Sequence, residues 1–111
     1  MNTNMKFVAP EKVKKWLDIN SAVLVDVRSH KEYELEYIAQ ASHTPANANN
    51  LDELISVSNS KAIVFHCASG IRSVNVCEYY MSVTGAENSY VMGGDIEGWK
   101  NAGFATIARQ G

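Results

Sequence analysis

A chain of 111 residues, 46% hydrophobic and 20% charged, holds enough apolar material for one buried core and has the composition of an ordinary globular domain. Its net charge of −2 argues against a general nucleic-acid binder, which is clearly basic, and no apolar run reaches membrane-spanning length. Two cysteines make no disulfide framework, and the opening Met1-Asn2-Thr3-Asn4-Met5-Lys6 lacks the basic and apolar regions of a secretory signal, so a cytoplasmic protein is expected.

Along the chain, Phe7-Val8 suggests a short edge strand, and Pro10 suits the first position of a helix. Val13, Trp16 and Leu17 repeat at helical spacing and face inward, while Lys12, Lys14 and Lys15 form a solvated side. Ala22-Val23-Leu24-Val25 is a continuous apolar run, as expected of a strand covered on both faces, and it ends at Asp26-Val27-Arg28. Ser29 and Glu32 have the spacing of a capping box opening a short helix. Asp26 lies at the carboxyl end of its strand, where parallel sheets bind ligands, and reads equally well as a hydrogen-bond acceptor that steadies the turn. Arg28 is placed to pair with Glu32 and fix that turn. Asn50 and Glu53 mark another helix start, with Leu51, Leu54 and Ile55 inward, and the stretch from Ser56 to Ser60 reads as loop.

The second apolar run, Ala62-Ile63-Val64-Phe65, lies between Lys61 and His66 and leads into Cys67-Ala68-Ser69-Gly70-Ile71-Arg72-Ser73. From Ser73 to Thr84 the pattern is helical, closed by Gly85. A strand-loop-helix junction aims successive backbone N–H groups and the positive end of a helix dipole into the loop. Cys67 sits in that concavity, where the amides, the helix terminus and the Arg72 guanidinium all favour thiolate over thiol. A buried structural cysteine needs neither Gly70 nor Arg72, so the loop describes an activated nucleophile. Cys77 falls on an apolar stripe with Val74, Tyr80 and Met81 and reads as a reduced core thiol rather than a resolving partner. Of the adjacent Tyr79 and Tyr80, one is expected in the core and one at the surface. None of the three histidines has metal-site company: His43 suits a turn or cap, and His66 packs at its strand end. Ser89-Tyr90-Val91-Met92 is the last strand and runs into Gly93-Gly94-Asp95-Ile96-Glu97-Gly98-Trp99.

These motifs resemble the rhodanese-like sulfurtransferases over roughly residues 7 to 105 of 111. Cys67 to Ser73 fits the family's C-x-x-G-x-R-S loop. Asp26-Val27-Arg28 with Glu32-Tyr33 resembles its D-V-R-x-x-x-E-[FY] motif, and Gly94 to Gly103 resembles its closing G-G-x-x-x-W-x-x-x-G. Two departures stand out. Glu36-Tyr37-Ile38-Ala39-Gln40-Ala41 lacks the glycines and histidine of the usual G-H-I-x-G-A. Asp95 stands where the second of the paired glycines belongs, which places a carboxylate near the cleft that would repel anionic donors. Asp tolerates left-handed backbone better than most residues, so the turn is expected to survive.

The resemblance implies one α/β domain occupying residues 1–111, with a central parallel sheet of about five strands and helices on both faces. It implies that Cys67 takes a sulfane sulfur from a donor such as thiosulfate, becomes a persulfide, and yields that sulfur to cyanide, a small thiol or a protein cysteine. In this scheme Ala68, Ser69, Gly70, Ile71, Arg72 and Ser73 cradle the added sulfur, and Asp26, Arg28, Glu32 and Gly94 support the loop. No metal or organic cofactor, nucleic acid or membrane is called for. Two rivals remain. A persulfide carrier serving a protein partner is favoured by Ala68, because thiosulfate-active members often carry a polar or basic residue there. A phosphatase-like hydrolase is disfavoured, because such loops hold one more residue between cysteine and arginine.

Overall fold

The two continuous apolar runs become adjacent strands in the middle of one sheet. The computed structural model describes residues 6–43, 61–67, 71–84 and 88–108, and of residues 71, 72, 83 and 84 the backbone only. Its elements are β1 (Phe7–Val8), α1 (Pro10–Asp18), β2 (Ala22–Asp26), α2 (His30–Leu35), β3 (Glu36–Tyr37), β4 (Ala41–His43), β5 (Ala62–His66), α3 (Ile71–Thr84), β6 (Ser89–Met92), α4 (Asp95–Asn101) and β7 (Ile107–Ala108). Five strands form a parallel sheet in the order β1-β6-β5-β2-β4, which puts β5 at its centre.

Strand alternation distributes the apolar side chains between two cores. Ile63 and Phe65 of β5 point to the α3 side and pack with Val25, Val27, Cys77, Tyr80 and Val91. Val64 points the other way, into a core with Val13 of α1, Leu24, Met92, and Ile96 and Trp99 of α4. Helices therefore cover both faces of the sheet, as the uninterrupted hydrophobicity of β2 and β5 requires. Trp99 is 1% exposed and plugs its core, with its indole N–H donating to the Ala105 carbonyl at 2.9 Å.

Local signals read from the sequence hold in detail. Pro10 opens α1, and Trp16 meets Tyr90 edge-on at 5.0 Å between ring centroids. Both halves of the Ser29/Glu32 capping box are present: the Glu32 N–H donates to Ser29 Oγ at 3.2 Å, and the Ser29 N–H to Glu32 Oε1 at 3.0 Å. Helix α3 begins at Ile71, two residues before the expected start, and Tyr80 lies inside while Tyr79 is 61% exposed. Gln40 occupies its turn without a left-handed backbone, so loss of that glycine is accommodated locally. The expected helix near Asn50 and Glu53, the loop to Ser60 and the Gly85 cap lie outside the described residues.

A second, two-stranded antiparallel sheet joins β3 to β7 and has no counterpart in the sequence reading. Glu36 fastens it: its carboxylate accepts from Thr106 Oγ1 and from Lys100 Nζ at 3.1 Å. These bonds, led by that from Thr106, hold the Glu36 carboxyl below its ordinary range. Among the described residues, no helix is long and apolar enough to cross a membrane.

Candidate active site

Cys67 follows directly on β5 and so stands at the carboxyl end of the central strand. It is fully buried. Its Sγ receives the Ser73 backbone N–H at 3.4 Å and lies 3.4 Å from Ser73 Oγ. Ser73 belongs to the first turn of the 14-residue α3, where backbone donors have no partner inside the helix. The sulfur thus rests against a helix N-terminus, the place in a fold where a negative charge is best accommodated. Of the other loop residues expected to cradle the sulfur, Ala68, Ser69 and Gly70 and the side chains of Ile71 and Arg72 lie outside the described residues.

The turn between β6 and α4 clamps Cys67 from the opposite side. The Cys67 N–H donates to Asp95 Oδ1 at 2.8 Å, and the Cys67 carbonyl accepts from the Ile96 N–H at 3.4 Å. Asp95 Oδ1 also accepts from the Ser73 hydroxyl at 3.3 Å. Gly94, with φ +76°, and Asp95, with φ +52°, both adopt left-handed backbone, so Asp95 does keep the turn that a glycine would make. Its carboxylate does not look out from the cleft rim; it is 5% exposed and bonded to the Cys67 amide. The sequence signal was an acidic residue inside a Gly-Gly turn beside the central strand, but no spacing rule reveals these particular bonds.

Asp26, Arg28 and Glu32 divide differently from expectation. Arg28 pairs with Asp26, not Glu32: Nε reaches Oδ1 at 3.0 Å and Nη2 reaches Oδ2 at 2.8 Å, with both side chains buried. The Arg28 N–H donates to the same carboxylate at 3.0 Å, and Nη2 also donates to the Glu36 carbonyl. The physical reason is reach. Glu32 turns back to close its capping box with Ser29, whereas Asp26 faces Arg28 across a two-residue turn. Asp26 therefore serves as the acceptor that steadies the turn. The histidine expected at a turn or cap, His43, instead lies in β4, donates from Nε2 to the Arg28 carbonyl at 2.8 Å and stacks on Tyr33 at 4.2 Å.

His66 connects this bracket to β5, the strand that leads into Cys67. The Val27 N–H donates to the His66 carbonyl at 3.0 Å, and His66 Nε2 lies 3.7 Å from Asp26 Oδ2. Neither ring nitrogen has a hydrogen-bond partner among the described residues, and the side chain is wholly buried. Burial, only partly offset by the Asp26 charge, pushes its pKa down to about 4. Between that value and the ordinary 6.5, the unfolded chain binds a proton that the folded chain refuses. Stability therefore rises with pH across this window and is lost as pH falls through it, by about 3 kcal/mol in all. Urea unfolding of His66→Leu at a series of pH values should show that acid limb flattened, while an unchanged limb would assign it to other groups.

Cys77 packs in the α3-side core, with its Sγ 3.9 Å from the Met81 sulfur. Burial pushes its thiol up to about 12. At pH 8 only about one molecule in ten thousand then carries the thiolate that reacts with alkylating agents. Iodoacetamide followed by peptide mapping should accordingly label Cys77 at least about a hundredfold faster in denaturant than in the native protein. Equal rates in both states would contradict the core assignment.

Among the described residues, no three His, Cys, Asp or Glu side chains gather as a metal site. The sequence pattern of the Rhodanese-like domain matches residues 9–102. An uncharacterised protein of Synechocystis sp. is 30% identical over 100 residues, covering 90% of this chain and 55% of that protein. A tRNA uridine(34) hydroxylase of Photorhabdus laumondii is 31% identical over 98 residues, covering 83% of this chain and 28% of the hydroxylase. The chain thus spans about half of the first relative and little more than a quarter of the second. Among solved structures, a thiosulfate sulfurtransferase of Pseudomonas aeruginosa superposes with a TM-score of 0.82 at 16% identity, over 97% of this chain and 20% of that one. A rhodanese-related protein of Thermoplasma volcanium superposes with a TM-score of 0.74 at 23% identity, over 94% and 99% of the two chains. A parallel sheet with a cysteine at the end of its central strand, joined to a sequence match over most of its length, makes this chain a member of the rhodanese-like domain family.

Proposed function

We propose that the protein is a sulfurtransferase that carries sulfane sulfur as a persulfide on Cys67. The observation that supports this most is the position of the Cys67 sulfur, 3.4 Å from the Ser73 N–H at the start of α3 and at the carboxyl end of the central strand. An anionic sulfur held there is stabilised by the Ser73 N–H and the helix terminus, which favour the negative charge of thiolate and persulfide alike. In the first half-reaction the Cys67 thiolate attacks the outer sulfur of thiosulfate. The new S–S bond forms as the donor's S–S bond breaks, and sulfite leaves with the electron pair. In the second, cyanide, a small thiol or a protein cysteine attacks the terminal sulfur and Cys67 returns as thiolate. Two covalent half-reactions give ping-pong kinetics.

A second reading, a carrier that hands its persulfide to a protein thiol, is favoured by the carboxylate of Asp95, bonded to the nucleophile's amide, which disfavours small anionic donors. Thiocyanate production from thiosulfate and cyanide tests the first reading. Sustained turnover with parallel double-reciprocal lines is the expected result. A single equivalent of transferred sulfur without turnover would replace the enzyme by the carrier, and no transfer at all would sink both.

A further inference from the structure

Asp95 spends a carboxylate on a position where glycine would meet the same left-handed backbone without strain. What it gains is a set of bonds around the nucleophile. Its Oδ1 holds the Cys67 amide at 2.8 Å and the Ser73 hydroxyl at 3.3 Å, and that hydroxyl lies 3.4 Å from Cys67 Sγ. Ser73 has one hydroxyl proton, and among the described residues both the carboxylate and the sulfur lie within its reach. When the proton turns to Asp95, Ser73 offers the sulfur a lone pair, and the Ser73 amide still donates to Sγ. The carboxylate thus acts on the reacting sulfur in two ways, through Ser73 and through its own charge. Because Asp95 is 5% exposed, solvent screens that charge poorly.

We propose that Asp95 is a positioning residue that sets donor selectivity at Cys67, holding a fixed negative charge one hydroxyl away from the sulfur so that singly charged sulfur donors are preferred over doubly charged ones. The proposal rests on the sulfurtransferase reading. Both donor classes react by the same balanced step. Thiosulfate gives its outer sulfur to the Cys67 thiolate and releases sulfite, while an aryl thiosulfonate gives its outer sulfur and releases the sulfinate. They differ by one unit of charge on the group that leaves. Two charges roughly 6 Å apart at an effective dielectric near 20 interact strongly enough to change a rate by about a hundredfold. A leaving group farther from the carboxylate feels less, so about tenfold is the expected discrimination.

The test compares kcat/KM for thiosulfate and benzenethiosulfonate in the wild type, Asp95→Asn and Asp95→Gly. Asparagine keeps an oxygen acceptor for the Cys67 amide and the Ser73 hydroxyl and removes the charge. Glycine removes charge and acceptor together but suits the left-handed turn. Both variants are expected to raise the thiosulfate-to-thiosulfonate ratio about tenfold, with most of the change in KM for thiosulfate. A bond that merely braced the turn would lower both donors together and leave the ratio fixed. An unchanged or falling ratio in whichever variant retains wild-type circular dichroism overturns the proposal. A wild type that takes sulfur from neither donor overturns the sulfurtransferase reading and this proposal with it, whereas transfer from both donors with a fixed ratio overturns this proposal alone.

Discussion

Cys67→Ser is expected to reduce thiocyanate formation by at least about a thousandfold while the fold persists. Serine retains the size and the hydrogen-bonding position of the residue, so its contacts with Ser73 and the Asp95 bond to its amide survive. What disappears is the sulfur itself, the nucleophile that can form an S–S bond. Cys77 offers no substitute, since it is buried on α3 and its thiol is pushed up to about 12. The melting temperature should move by only a few degrees, because one buried sulfur-to-oxygen exchange costs on the order of 1 kcal/mol. Loss of activity together with loss of the melting transition would show that Cys67 is a core residue first.

The largest stability loss is expected from Gly98→Ala, at a residue with no chemical part in the site. A Cβ at position 98 would stand 2.6 Å from the Gly93 carbonyl oxygen and 3.4 Å from Pro10 Cγ. The carbonyl cannot step aside freely, because the neighbouring Gly93 N–H donates to Val8 at 2.9 Å and fixes β6 against β1. Helix α4 must therefore move away from the sheet end, and overpacking of this kind costs about 2–3 kcal/mol, or roughly 10 °C in Tm. The displacement also reaches the site, since the first turn of α4 carries the Asp95 and Ile96 bonds to Cys67. Gly93→Ala is the matched control. Its Cβ would meet nothing closer than 3.7 Å, so thermal unfolding should change by less than about 1 kcal/mol. Equal losses in the two variants would remove the steric explanation.

The parts of this fold legible in the sequence are those written in contiguous residues. Two unbroken apolar runs specified the central strands β2 and β5, the Ser29/Glu32 spacing specified a cap, and Pro10 specified a helix start. Cys67 was legible for the same reason, since strand, loop and helix follow one another without a gap. Pairings across long separations were not. Strands β3 and β7 have two residues each, too few for a period, and their pairing, with the Glu36 bonds to Thr106 and Lys100, joins residues some seventy positions apart. Arg28 was assigned the wrong carboxylate because helical spacing favoured Glu32, while the turn geometry that brings Asp26 within 3.0 Å is a property of the folded chain. Asp95 was visible as an anomaly in a glycine turn, but its grip on Cys67, 28 residues away, depends on β6 lying beside β5. Gly98 gave no signal at all, because what it avoids is a backbone carbonyl in the preceding turn.

The most direct measurement is the intact mass of the protein after incubation with excess thiosulfate and removal of small molecules, with and without a subsequent cyanide step. The expected result is one added sulfur per chain, confined to the peptide containing Cys67, absent from Cys67→Ser and removed completely by cyanide. A chain that gains no mass, or one whose added sulfur maps to Cys77 or survives cyanide, would contradict a persulfide on Cys67.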